Sequence, residues 1–238
     1  MNSYLLLMMG GTGTRLGENI PKQYIEVEGQ PVFSYILAKY DTLDCIKGMI
    51  IVSHPDWIDF VQEWADRLKI KKLLKIAPGG ATRSNSVLNG LEALRRYAEA
   101  EDCVLIHDAT HPYVDKKGTE ECIQAIAEYG GATLAEYQYD TVYRLDENDF
   151  VEETLQRRYV VAGASPEGFN FGKLYSIYKN ATQEELERMT SAGAIANANG
   201  IRMKAVPANV INLKITYKND MIAFNKIVHS YFFEEKQE

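Results

Sequence analysis

The stretch Leu5-Leu6-Leu7-Met8-Met9-Gly10-Gly11-Thr12-Gly13-Thr14-Arg15-Leu16-Gly17, with Pro21-Lys22-Gln23 close behind it, decides how the rest of the chain is read. Its apolar run is too short for a membrane span and has no basic residues ahead of it, so it reads as a fully buried first strand. Glycines after such a strand let backbone N–H groups approach an anion with no Cβ in the way. Arg15 can hold phosphate oxygens in a bidentate fork, and Lys22 can act as a mobile point charge. Strand, loop and two cations together describe a phosphate-handling device, with Met9, Gly10, Gly11 and Gly13 as its nucleotide-binding backbone.

Two familiar loops do not fit. No Gly-Lys-Ser/Thr follows the glycines, as a Walker A loop requires. Gly11 and Gly13 begin a dinucleotide fingerprint, but Leu16 stands where the third glycine belongs. The second strand, Met49-Ile50-Ile51-Val52, then runs into Ser53-His54 and not into an acidic residue. A plain strand-to-helix turn is the competing reading of a bare GxG, and the added Arg15 and Lys22 weigh against it.

Working outward, the apolar runs at 4–9, 48–53, 73–77 and 102–107 read as parallel strands, with helical spacing over 32–42, 56–69, 84–100 and 116–129 and a further strand at 131–137. This order predicts an α/β fold with a doubly wound, mostly parallel sheet and ligands at the carboxyl ends of its strands. Residues 140–162 hold short β-like pieces, Thr141-Val142-Tyr143 and Tyr159-Val160-Val161, around the acidic turn Asp146-Glu147-Asn148-Asp149, and read as an inserted arm. Helices are expected at 170–180 and 183–198 and strands at 201–206 and 210–216. Asn219 or Asp220 should cap a last helix through about residue 231. One domain over 1–238 is the expectation.

A net charge of −7 over 238 residues disfavours nucleic acid as a partner, so any anion site must be a local basic pocket. Cys45, Cys103 and Cys122 are odd in number and lack metal-ligand spacing; they read as small apolar residues in a reducing compartment, and the protein as cytoplasmic.

Three further motifs fall where this topology needs them. Gly79-Gly80-Ala81-Thr82-Arg83-Ser84-Asn85-Ser86-Val87 opens a helix after the third strand, where N–H groups and a serine hydroxyl suit the edges of a nucleotide. A turn with an N-cap is the plainer alternative, and the double glycine with Arg83 favours function. Val104-Leu105-Ile106-His107-Asp108-Ala109-Thr110-His111-Pro112 ends the fourth strand with a carboxylate, Asp108, suited to Mg²⁺ on a triphosphate, whereas His107 reads as structural. Asn212-Leu213-Lys214-Ile215-Thr216 carries one cation among apolar residues and is expected to return Lys214 to the pocket of Arg15 and Lys22.

Taken together, GGTGTR…PKQ, GGxxRxxSV, HDAxxP, DTV and NLKIT resemble the cytidylyltransferase family of 2-C-methyl-D-erythritol 4-phosphate cytidylyltransferase and ribitol-5-phosphate cytidylyltransferase, in order and over nearly the whole chain. The resemblance implies a Rossmann-like GT-A nucleotidyltransferase fold, CTP as substrate, Mg²⁺, a small polyol phosphate as acceptor, and a homodimer formed through a β-arm. It assigns Arg15 and Lys22 to the triphosphate, Gly80 and Ser86 to cytosine and ribose, and Asp108 to the metal. Thr141, Arg157, Thr190 and Lys214 match positions that hold the polyol phosphate, with Arg158 replacing Arg157 if the register slips by one.

The departures fall mostly on the acceptor side. His111 replaces the arginine of HDAxRP, exchanging a permanent cation for a group expected near half-charge at neutral pH. Ala164-Ser165-Pro166-Glu167 replaces Gln-Thr-Pro-Gln, Ser191 replaces an aspartate, and Ile211 stands where the methylerythritol enzymes carry a second carboxylate. The reading is transfer of CMP to a polyol phosphate with release of pyrophosphate. The alternatives are a non-catalytic CTP-binding relative, and a nucleotidyltransferase using another NTP and sugar phosphate.

Overall fold

The computed structural model describes residues 1–11, 20–189 and 191–232. Strand β1 (Ser3–Met9) is followed by a small hairpin, β2 (Glu26–Val27) and β3 (Gln30–Pro31), then α1 (Val32–Asp41), β4 (Gly48–Ser53), α2 (Ile58–Arg67), β5 (Leu73–Pro78), α3 (Arg83–Leu94) and β6 (Cys103–Asp108). The second half runs α4 (Lys116–Tyr129), β7 (Gly130–Tyr137), β8 (Tyr143–Leu145), β9 (Val151–Thr154), β10 (Val161–Asn170), α5 (Phe171–Asn180), α6 (Gln183–Arg188), α7 (Ala192–Ala198), β11 (Arg202–Pro207) and α8 (Lys218–Phe232).

Seven strands make the main sheet in the order β11-β7-β10-β6-β1-β4-β5, with β10 antiparallel to both neighbours and the other pairs parallel. All seven residues of β1 are buried, as its unbroken apolar run requires. Leu5, Leu7 and Met9 enter a core with α1, α2 and α4 on one face. Tyr4, Leu6 and Met8 enter a second core with α3, α5, α6 and α7 on the other. The register sets Met8 beside both Val52 and Asp108, so the ends of β1, β4 and β6 open at one level.

The structure corrects several sequence expectations. Residues 161–170 form a full sheet strand that the sequence did not announce, because Gly163, Pro166 and Gly168 erase the usual β signature. Gly168 has a reason to be glycine: a Cβ there would lie 2.5 Å from Leu105 Cδ2 and 2.6 Å from Ile126 Cδ1, between β6 and α4. The expected strand at 210–216 is irregular; its main-chain anchor is the Ile215 N–H donating to the Thr110 carbonyl at 2.8 Å. The expected helix 183–198 is two helices, because Ser191 starts α7 afresh by accepting from the Ala194 N–H at 3.0 Å.

Helix 84–100 stops at Leu94, where a turn from the Tyr97 N–H to the Leu94 carbonyl takes over. In the arm the paired strands are β8 and β9, not the pieces expected at 141–143 and 159–161, and every residue of both is exposed. Asp220 lies inside the first turn of α8, its carboxylate accepting from the Thr216 and Tyr217 N–H groups just ahead of it.

Candidate active site

A cavity of about 1000 Å³ opens over the carboxyl ends of β1, β4, β5 and β6. Met9, Gly10, Gly11, Lys22, Gly80, Ser86, Asp108, His111 and Lys214 all line it, so most of the sequence-predicted set converges. Arg15, Gly13 and Thr190 lie outside the described residues. Thr141 and Arg157 are not brought to this cavity: both are exposed on the arm, where the Arg157 guanidinium donates to the Tyr139 carbonyl.

Two glycine loops face each other across the cavity floor. The Cα atoms of Gly10 and Gly79 approach so closely that a Cβ on Gly79 would lie 3.2 Å from Gly10 Cα. Beside them the Ser86 hydroxyl accepts from the Gly80 N–H at 2.9 Å and donates to the Thr82 carbonyl at 2.9 Å, so it braces its own loop. Thr82 caps α3 by accepting from the Asn85 N–H at 3.1 Å.

The electrostatic centre is Asp108. Arg83 reaches its Oδ1 at 2.9 Å and Lys214 its Oδ2 at 3.3 Å. Burial pushes this carboxyl up, but Arg83 and Lys214 outweigh burial and hold it down at about 2. Arg83 also reaches Glu167 at 3.5 Å. Glu167 in turn accepts from the N–H groups of Gly193 at 2.8 Å and Ala192 at 3.3 Å, tying the start of α7 to the nucleotide side. Burial is the largest influence on Glu167 and leaves its carboxyl raised.

Both histidines of the β6 motif are neutral at pH 7. Burial takes His107 down to about 4; its Nε2 donates to the His111 carbonyl at 2.8 Å, which leaves Nδ1 to accept from the Tyr40 hydroxyl at 2.8 Å. That is the structural role expected. His111, expected near half-charge, is instead pushed down to about 3, first by burial and then by His107 and Lys214. Its Nδ1 lies 3.1 Å from the Ser165 hydroxyl.

The ion pairs of Arg83 with Asp108 and Glu167 were not read from the sequence; the signal available was a cation in a loop already marked by two glycines. Among the described residues no three His, Cys, Asp or Glu side chains cluster as a metal site. A Mg²⁺ ion carried on a triphosphate needs only one or two protein carboxylates, and Asp108, 22% exposed at the cavity wall, meets that need.

A profile of the family described as 2-C-methyl-D-erythritol 4-phosphate cytidylyltransferase matches residues 4–230. The chain belongs to this family. The 2-C-methyl-D-erythritol 4-phosphate cytidylyltransferase of Thermotoga neapolitana is 35% identical over 91% of this chain and 92% of its own length. That of Clostridium acetobutylicum is 32% identical over 92% and 93%. Among solved structures, 4-diphosphocytidyl-2C-methyl-D-erythritol synthase of Anaerococcus prevotii superposes with a TM-score of 0.78 at 22% identity, covering 96% of this chain and 98% of its own. The 2-C-methyl-D-erythritol 4-phosphate cytidylyltransferase of Francisella tularensis gives 0.76 at 23%, over 95% and 99%. These structures establish the nucleotidyltransferase fold, and membership of the family makes the chain a cytidylyltransferase enzyme.

Proposed function

We propose that this enzyme transfers CMP from CTP to 2-C-methyl-D-erythritol 4-phosphate and releases pyrophosphate, a step of isoprenoid precursor synthesis. The observation that supports it most is Asp108 held between Arg83 and Lys214 beside two facing glycine loops, in a chain whose named relatives are methylerythritol enzymes. Ribitol 5-phosphate as acceptor finds no support in those relatives.

An acceptor phosphate oxygen attacks the α-phosphorus in line, and catalysis is positioning and charge stabilisation with no covalent protein intermediate. Lys22, whose side chain reaches the cavity from the turn after the glycine loop, meets charge on the triphosphate, and Arg15 shares that role. Lys214 orients the acceptor together with His111, and the resemblance assigns Thr190 to the same substrate. Asp108 would hold a Mg²⁺ ion, which would supply Lewis-acid neutralisation of phosphate oxygens when bound. The exposed arm carries Tyr143, Leu145, Phe150 and Val151 at 50% exposure or more, which suits a homodimer in which Thr141 and Arg157 serve a partner's acceptor site. Free thiols at Cys45, Cys103 and Cys122 suit the cytoplasm, and no described helix is long and apolar enough to cross a membrane.

The test is Mg²⁺-dependent pyrophosphate release from CTP with 2-C-methyl-D-erythritol 4-phosphate and ribitol 5-phosphate offered separately. Release with the first alone is expected. Release with the second alone, or CTP binding with no release under either, overturns the proposal.

A further inference from the structure

Pro21-Lys22-Gln23-Tyr24 does more than deliver a lysine. Lys22–Tyr24 forms a single helical turn whose three side chains are all buried. Gln23, only 3% exposed, spends both amide hydrogens on the glycine loop: Nε2 donates to the Met9 carbonyl at 2.8 Å and to the Gly11 carbonyl at 2.7 Å. The Tyr24 hydroxyl donates to the same Met9 carbonyl at 2.9 Å and accepts from the His54 N–H at 3.2 Å. Its ring stacks on Trp57 with centroids 4.4 Å apart and planes 4° from parallel.

The consequence is electrostatic as well as geometric. A carbonyl oxygen turned toward a phosphate repels it, whereas an N–H attracts it. In a trans peptide the two point opposite ways, so pinning the Met9 carbonyl on Gln23 also fixes the direction of the Gly10 N–H. Two carbonyls on either side of Gly10 are held on one side chain, and that side chain is covalently next to Lys22.

We infer that Gln23 is a positioning residue for the transfer reaction. It keeps the Met9 and Gly11 carbonyls turned away from the triphosphate and sets Lys22 in register with the glycine loop. The inference rests on the reading that this cavity takes CTP, and deepens it.

Gln23→Met keeps the side-chain volume and removes both donors; Gln23→Asn keeps an amide on a stem too short to span both carbonyls. Tyr4→Phe is the structural control, because it deletes a side-chain hydrogen bond of the same kind, from the Tyr4 hydroxyl to the Tyr97 carbonyl at 2.7 Å, without touching the cavity. Initial rates with CTP and with the acceptor varied separately, beside thermal melts, give the readout. For Gln23→Met, kcat/KM for CTP should fall about tenfold or more while the acceptor KM stays within about twofold. Gln23→Asn should fall between it and the parent protein, and Tyr4→Phe should lower the melting temperature with CTP kinetics unchanged.

CTP kinetics of Gln23→Met within twofold of the parent overturn the inference and leave the proposed function standing. If Gln23→Met does not fold, Gln23→Asn decides by the same criterion. A parent protein that neither binds nor consumes CTP overturns both.

Discussion

Asp115→Ala tests how Lys214 is held. Asp115, buried at 3% exposure, caps α4 by accepting from the Gly118 N–H at 2.8 Å through Oδ1. Its Oδ2 accepts from the Asn209 backbone N–H at 2.7 Å and the Asn209 side chain at 3.2 Å. Asn209 begins the irregular segment that ends where Ile215 donates to Thr110, and Lys214 sits just before that second anchor. Losing the cap costs about 1 kcal/mol. Losing the acceptor for Asn209 costs about 1 kcal/mol more, at the low end of its range, because Asn209 is solvent-exposed and water can replace the carboxylate. The expected total of about 2 kcal/mol lowers the melting temperature by roughly 4–8 °C in a chain of this size. Turnover at 25 °C, well below the melt, should fall severalfold as Lys214 loses one of its two tethers, with KM for CTP little changed. A melting temperature within about 1 °C of the parent refutes the clamp. A lowered melting temperature with full turnover refutes the link from the clamp to Lys214.

Lys22→Ala should abolish most turnover, by about two orders of magnitude or more, with the circular dichroism spectrum retained; near-normal turnover in the folded variant sinks the phosphate role. Gly80→Ala places a Cβ 2.5 Å from Asn85 Cβ and 2.9 Å from the Asn85 carbonyl carbon, so the loop must shift. CTP affinity by calorimetry should fall about tenfold, and unchanged affinity would clear this glycine of any part in the site. Asp102 is lowered from its ordinary value: burial raises it, but N–H groups of Asn2 at 2.7 Å and Glu99 at 3.0 Å more than compensate. Stability from a depressed carboxyl is present above the unfolded pKa and lost as pH falls through and below it, so Asp102→Asn should flatten the acid limb of urea stability below about pH 4. An acid limb unchanged by the substitution would show that those two amides do not set its titration.

Much of this architecture was legible because single elements carried their own signals. The apolar run Tyr4–Met9 reads as a strand buried on both faces, and the helix of residues 116–129 announced itself by periodicity, its Asp115 cap being seen only in the structure. Strand Val161–Asn170 was hidden for a physical reason: Gly168 lets β6 and α4 close over it, and with Gly163 and Pro166 it displaces the β-branched residues that mark strands. The segment 210–216 looked like a strand because it carries one cation among apolar residues. Val210 and Leu213 instead pack around a small third core where Ile215 meets Phe224 and Val228 of α8. At the site, Asp108 and Lys214 could each be assigned to the pocket in advance because both stood in motifs, but their ion pair was not read. The bridge from Arg83 through Glu167 to the start of α7 joins residues 83, 167 and 193, a contact that only the fold creates.

Charge explains why the pieces are arranged as they are. The described residues lining the cavity include three lysine or arginine cations, Lys22, Arg83 and Lys214, against two carboxylates, Asp108 and Glu167. Arg83 is shared between both carboxylates and Lys214 sits on Asp108, so most of this positive charge is already matched. His111 adds none, since burial keeps it neutral where the resemblance expects an arginine. Two phosphate-bearing substrates bring several negative charges into that nearly balanced space, and re-pairing the same side chains can release only cations that a carboxylate then lacks. The balance has to be restored by charge that enters with the nucleotide or lies just outside this set. A divalent ion on the triphosphate would supply such charge, and the resemblance assigns Arg15 to the same triphosphate. On this view Asp108 is valuable for being easily re-partnered: a carboxylate held at about 2 stays ionised whichever cation it faces, and were it to hold a metal, Lys214 would be left for the acceptor.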